Sequence, residues 1–578
     1  MRPGASAIAP PAALAGAPDR ADRAVAAGGA PPATLPWWWS ASLVTLALSI
    51  AAFRLAHTEA DPDLWGHVRF GLDLLDTGRV ARADVYSYLT DGVRWINHEW
   101  LSELMMGLAF RAGGATGLIA LKTMLGLIVA ILLARHLLRQ QLTLLGAVFV
   151  TAYGMVVLYP GLRPLRPQAW TYVAITLVLL LIDRATRANT EPHHRPAPGV
   201  PNAVAFDTAT APSRALWWAA PIMALWANAH GGFVAGLGLL GAWWGSRAIV
   251  AWGDGSLARD AHARRALLLD GLAVAAACLA TLANPYGWDL WIFLARTLTP
   301  RPEISEWQAL PIASFEGATY LLVAALGVVG LLAQTPRRRA LVGPLLLCGL
   351  LLPLTARRHL PLLALIVLVL FAGDAAHALG AALQRRWPRM QRASSNRLRP
   401  LVCGALLLES TIVLALARPE WTRIAVDPEA YPVAAVTRLA QAREPANLAV
   451  FFDWGEYVLW HVGPRIKVSV DGRRETVYPD DVYAENMALT EGTGEWDQLL
   501  RRPETDLALV STQTAAASLL ALHPDWELIL RDGQSVLYGR RDRPVTAALR
   551  DPAAAPTSGD SHAAALARPS TPPPATFP

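Results

Sequence analysis

Long apolar runs alternate with short polar stretches along nearly the whole chain. Runs of roughly the 17–25 residues that a helix needs to cross a bilayer lie at about 37–56, 116–138, 142–160, 168–183, 215–230, 231–250, 266–283, 318–335, 340–355, 360–383 and 400–417. A shorter stretch, 100–113 (WLSELMMGLAFRAG), covers only about 20 Å as a helix, less than the roughly 30 Å hydrocarbon core. Charge decides its place. With 100–113 lying in the interface, the arginine-bearing stretches 184–214 and 384–399 fall in the cytoplasm. So do Arg135, Arg139, the Arg264–Arg265 pair and Arg337–Arg339, as the positive-inside rule expects. The pattern predicts eleven spans, with the N-terminus inside and the C-terminus outside.

The first outer loop, 57–114, holds two in-plane helices on this reading. Leu64, Val68, Leu72 and Leu75 share one helical face, while Asp63, His67, Asp73 and Asp76 fall largely on the other. That is the pattern of an interfacial amphipathic helix. The second in-plane element is 100–113. After the last span, 418–541 changes character. NLAVFF (447–452), KVSV (467–470) and DLALVS (506–511) read as short buried strands. Helical stretches lie around 480–501 and 514–522, and a terminal hairpin turns at Asp532-Gly533. The predicted fold is an α-helical polytopic membrane domain (37–417) followed by a small α/β domain on the outer side (418–541). The Ala/Pro-rich ends, 1–36 and 542–578, read as disordered tails, the first of them cytoplasmic.

Composition supports this picture. The chain of 578 residues is 53% hydrophobic and only 17% charged, against about a quarter charged in soluble domains. Its net charge of +6 comes from arginines in short loops, which set orientation and form no nucleic-acid surface. Cys278, Cys348 and Cys403 fall inside apolar runs, without disulfide or metal spacing. The chain shows no internal repeat, which weakens a transporter built from inverted halves.

The predicted topology brings unusual polar groups to one face. Loop one carries Asp61, Asp63, His67, His98 and Glu99. On the same side lie Arg163 and Arg166 (GLRPLRPQ), Asn228 and His230 (WANAHGG), and Asn284 (NPYG). Glu303 and Glu306 (RPEISEW) and Arg357, Arg358 and His359 (ARRH) join them. Polar groups at membrane depth are costly unless they line a cavity, so a pocket open to the outer leaflet is expected. Each group also has a structural alternative. Terminal arginines snorkel to headgroups, His230 before Gly231-Gly232 and Asn284 before Pro285 mark turns, and Asp61-Pro62 starts a helix. Functionally, the arginines suit a phosphate or pyrophosphate. Asp63 suits general-base chemistry or, with Asp61, a divalent cation. Glu99, with His98 beside it, is the second carboxylate site.

The strings DPDLWGHVRFG, WINHEWLSE, WANAHGGF, NPYG, ARRH, FFDWGEYVLW and VDGRRE resemble an uncharacterised bacterial branch of the GT-C superfamily of membrane glycosyltransferases. The resemblance covers about 37–541. It implies a polyprenyl-phosphate-linked sugar donor, a glycan, lipid or protein acceptor, and action at the outer face of a bacterial inner membrane. By position, it assigns the acidic role to Asp63, with Asp61 the alternative. The lipid phosphate falls to Arg357 and Arg358, with Arg163 and Arg166 behind them. No established role transfers to His98 or Glu99, and metal dependence is left open. Asp453-Trp454-Gly455-Glu456 and Asp471-Gly472-Arg473 read as strand-end turns or as acceptor-binding groups. The rival readings are a lipid-linked glycan flippase and a non-catalytic membrane scaffold.

Overall fold

The computed structural model describes residues 37–190, 212–297, 305–386, 399–416, 418–550 and 577. The expected tail 1–36, nearly all of 551–578, Glu303 and the stretches 191–211 and 387–398 lie outside these residues.

Each predicted apolar run is helical. In chain order the helices are α1 (Trp37–Ala56), α2 (Pro62–Thr77), α3 (Trp100–Arg139), α4 (Leu144–Leu162), α5 (Gln168–Ala188), α6 (Ala219–Ala229) and α7 (Phe233–Gly253). They continue with α8 (Ala261–Ala280), α9 (Asp289–Thr297), α10 (Phe315–Ala333), α11 (Pro336–Thr355), α12 (Leu360–Leu370), α13 (Ala372–Arg386) and α14 (Arg399–Leu416). Among the described residues, seven helices are long and apolar enough to cross a membrane, or eight if the 62° bent pair α12–α13 is one span. Three of the eleven expected spans fall short. The run 215–230 divides into a 3-10 turn and an 11-residue helix. The helix α8 carries Arg264, Arg265 and Asp270, and α14 is a shorter apolar helix.

Loop one forms the expected pair of helices. Asp61 caps α2, accepting from Leu64 N–H at 3.1 Å, with Pro62 in the first turn. The helix stops at Gly78, which takes the left-handed conformation (φ 66°). The stretch 100–113 is the first part of α3, set off by non-helical dihedrals at Gly113 and Gly114. A Cβ on Gly117 would strike the Ala109 main chain. Residues eight apart in a straight helix are about 12 Å apart, so α3 folds back on itself here. Its first part packs on α2 where Gly71 meets Glu103 and Gly107 main chain to main chain, with no space for a Cβ on either glycine.

The C-terminal unit is a mixed five-stranded sheet of β1 (Ala446–Val450), β2 (Ile466–Val468), β3 (Leu507–Ser511), β4 (Trp526–Arg531) and β5 (Ser535–Arg540). Its order is β2-β1-β3-β5-β4. The first three strands are parallel, and β5 runs antiparallel to β3 and β4. Asp532 makes the hairpin turn by accepting from Gln534 and Ser535 N–H. A helix at Pro544–Arg550 carries the domain past residue 541.

Loop one and this domain are fastened together. Tyr88 N–H bonds Val468 O, and Val468 N–H bonds Tyr86 O, so loop one covers the open edge of β2. Buried Arg473 grips Asp471 with two N–H groups at 2.9 and 2.6 Å and Asp84 with a third at 2.8 Å. Its guanidinium stands 4.7–5.1 Å from the ring centres of Trp95, Tyr86 and Phe70, a cation–π arrangement. The Asp471-Gly472-Arg473 turn is therefore also the ionic bolt between the two units.

Candidate functional site

Arg166, in the link between α4 and α5, reaches loop one. Its Nε bonds Asp61, its Nη2 lies 3.1 Å from Asp63 Oδ2, and its Nη1 lies 3.2 Å from Glu306. Three carboxylates thus hold one guanidinium. The same link places Arg163 against Glu59. Behind both, fully buried Lys122 of α3 donates to His57 O at 2.8 Å and to Arg163 O at 2.7 Å. A lysine inside an apolar span thereby ties the end of α1 to the end of α4.

One turn after Asp63 on α2, His67 meets Glu103 at 3.3 Å. Glu103 also takes Asn97 Nδ2–H at 2.5 Å. Burial opposes a charge on His67, but the Glu103 hydrogen bond and the fields of Glu99, Glu103 and Asp63 outweigh it and lift its pKa to about 9. Glu99 lies between two imidazoles, 3.7 Å from His98 Nε2 and 3.6 Å from His230 Nε2. Burial raises its carboxyl above the usual range, opposed by His98 and His67. His230 Nδ1 accepts from Gly232 N–H at 2.9 Å, so the ring carries its proton on Nε2, facing Glu99. Burial, with His98, Arg358 and His67 nearby, keeps His230 neutral. His230 therefore marks the α6–α7 turn and also faces the site. Asn228 Oδ1 accepts from Trp100 Nε1 at 2.9 Å, while Asn284 serves its own turn.

The ARRH segment packs on the stretch 305–307. Arg357 bonds Ser305 O at 2.7 Å and lies 3.8 Å from Glu316. Arg358 stacks on Trp307, 4.4 Å from the ring centre. Among the described residues, Arg358 pairs with no carboxylate. Burial and Arg358 hold the His359 pKa down to about 4. The contacts run in two chains: Asp63 to Arg166 to Glu306, whose neighbour Trp307 carries Arg358, and Glu99 to His230 of the α6–α7 turn.

The donor set does not fit a divalent cation. Asp61 spends one oxygen on the helix cap and the other on Arg166, and Asp63 shares the same guanidinium. No group of three or more His, Cys, Asp or Glu able to hold a metal occurs among the described residues.

Several groups here escape sequence reasoning. Glu103 and Lys122 sit inside apolar runs. Glu456 belongs to a motif that reads as a turn, yet its carboxyl accepts from Gly66 N–H of α2 at 2.9 Å. The Asp453-Trp454-Gly455-Glu456 segment leads into the helix Gly455–Val462, whose Tyr457 and Trp460 pack on Trp65 of α2.

No family model matches the chain, and no curated protein matches it by sequence. Solved structures do. The oligosaccharyltransferase of Archaeoglobus fulgidus in its apo form superposes with a TM-score of 0.52 at 11% identity, over 82% of this chain and 70% of that one. The same enzyme tethered to an acceptor peptide gives 0.50 at 12% identity, over 82% and 69%. ArnT from Cupriavidus metallidurans gives 0.48 at 12% identity, over 86% and 97%. The fold shared with the oligosaccharyltransferase is the GT-C type that the sequence resembles.

Proposed function

We propose that this membrane protein of GT-C-like fold is a glycosyltransferase that takes a sugar from a polyprenyl-phosphate-linked donor. The acceptor is a glycan, lipid or protein, and transfer occurs at the outer face of a bacterial inner membrane. The observation that supports this reading is that Arg166 joins Asp61 and Asp63 of loop one to Glu306, beside the Trp307 ring that carries Arg358, while Glu99 of loop one faces His230 of the α6–α7 turn.

The acceptor hydroxyl attacks the anomeric carbon, and its proton passes to Asp63. The bond between that carbon and the phosphate oxygen breaks as the new glycosidic bond forms. Negative charge grows on the departing lipid phosphate. Arg358 is the cation best suited to meet it, since its N–H groups are not committed to a carboxylate, and the Trp307 ring orients it. Arg166 acts differently. By gripping Asp61 and Asp63 it holds the base in place. His67 and the Glu99–His230 pair form the polar floor beside the base.

The test is an envelope glycan profile of a deletion strain complemented with wild-type protein or with an Asp61→Asn, Asp63→Asn double variant. The reading expects a product lost on deletion and restored only by wild type. A profile indifferent to deletion, or restored in full by the double variant, would overturn it.

A further inference from the structure

We propose that Glu456 is a positioning residue for Asp63, so that the outer domain supplies part of the transfer site; this rests on the reading in which Asp63 is the base. Three segments distant in sequence meet at this side chain. From loop one, Gly66 N–H donates to Glu456 Oε2 at 2.9 Å. From the turn after β2, Gly472 borders it: a Cβ there would stand 2.8 Å from Glu456 Oε1 and 2.8 Å from Asp63 Oδ1. At Gly66 the Glu456 carboxyl fills the place a side chain would take. The two glycines make the space in which the two carboxyl groups approach each other.

The Asp63 carboxylate has two ends. Oδ2 faces Arg166 at 3.1 Å, and Oδ1 turns toward Gly472 and Glu456. Two ionised carboxylates facing each other with one of them buried repel, and a proton on one removes the repulsion. Glu456 is the partner to hold it. It is 4% exposed. Burial lifts its carboxyl well above the usual range, and Asp63 and Asp471 add to this against Gly66 N–H and Arg473. A protonated Glu456 accepts from Gly66 through one oxygen and has a hydroxyl to give through the other. Asp63 is then steered from both sides, which fixes the direction its carboxylate presents to the acceptor. A carboxyl kept only for packing is a costly choice, because an apolar side chain of the same size fills this space without the desolvation penalty.

The experiment compares Glu456→Gln and Glu456→Met in the full-length protein, each complementing the deletion strain, with glycan product quantified and thermal unfolding of the purified protein followed. Glutamine keeps a donor at this place; methionine fills the volume and donates nothing. The expected result is product within about threefold of wild type for E456Q and at least about tenfold lower for E456M, the scale of one lost hydrogen bond to a charged group. Both variants unfold no earlier than wild type. In an Asp63→Asn background E456M changes nothing further, as coupled sites require. Equal product from E456M and E456Q, or a loss of product in E456M that tracks a loss of stability, overturns the inference. A deletion strain with unchanged glycans removes the glycosyltransferase reading itself, and the inference with it. Successful wild-type complementation beside a fully active E456M removes the inference alone.

Discussion

Arg166 Nη2 lies 3.1 Å from Asp63 Oδ2, while the same guanidinium also holds Asp61 and Glu306. An arginine that by position suits a lipid phosphate is thus committed to the acidic groups. Its removal leaves three carboxylates, Asp61 the least exposed of them, without their shared counter-charge. Arg166→Ala is expected to cost on the order of 1–3 kcal/mol, less than a fully buried pair because these side chains stay partly in solvent. Arg166→Lys keeps the charge but not the fork and should fall between. Thermal unfolding of the purified protein reads both. An Arg166→Ala variant as stable as wild type would refute the clustering.

Stability should depend on pH through His67. Its folded pKa of about 9 exceeds the ordinary 6.5. Its stabilising contribution is therefore full below pH 6.5 and is lost as pH rises through about 9. A difference of this size corresponds to a contribution on the order of 3 kcal/mol. Unfolding midpoints measured across this window should fall for wild type and be flatter for His67→Gln.

Gly71→Ala should unseat loop one. The added methyl meets the Glu103 carbonyl and the Gly107 main chain, and neither can swing aside as a flexible side chain does. The expected loss is about 1–3 kcal/mol or more, the range for overpacking, with easier proteolysis of loop one. Gly113→Ala, which meets nothing within 4 Å, tests space alone at the bend and should cost less.

Asp63→Asn and Arg358→Ala should separate chemistry from folding. Loss of the base is expected to lower product formation by roughly 10²–10⁴-fold. On the proposed mechanism, loss of Arg358 should lower it by roughly 10²-fold. Arg358 is exposed and pairs with no carboxylate among the described residues, so Arg358→Ala should unfold as wild type does. Quantified glycan product beside the unfolding curve checks both halves of each statement.

Much of the architecture is legible in the chain because a bilayer leaves few choices. Apolar runs must be helices there, and the amphipathic spacing of Leu64, Val68, Leu72 and Leu75 already marks α2. The strands at 446–450, 466–468 and 507–511 appear where β-rich runs stand. What stays hidden depends on partners distant in sequence. Nothing local shows that Arg166 is occupied by Asp61 and Asp63. Glu103 and Lys122 sit inside apolar stretches, where hydropathy averages them away. Glu456 reads as a turn residue because its partner, Gly66, is 390 positions away. The count of eleven spans exceeds the seven or eight helices that qualify by length and apolarity among the described residues, because charges in α8, the break before α6 and the shortness of α14 weaken runs that look continuous along the chain.

The central claim is that loop one and the ARRH segment work on the same side of the membrane. Single cysteines at the exposed positions Arg79 and Thr355, introduced after replacing Cys278, Cys348 and Cys403, can be probed in intact cells with a membrane-impermeant thiol reagent. Both positions are predicted to label from outside without permeabilisation. Labelling of one from outside and of the other only after the membrane is breached would contradict the account.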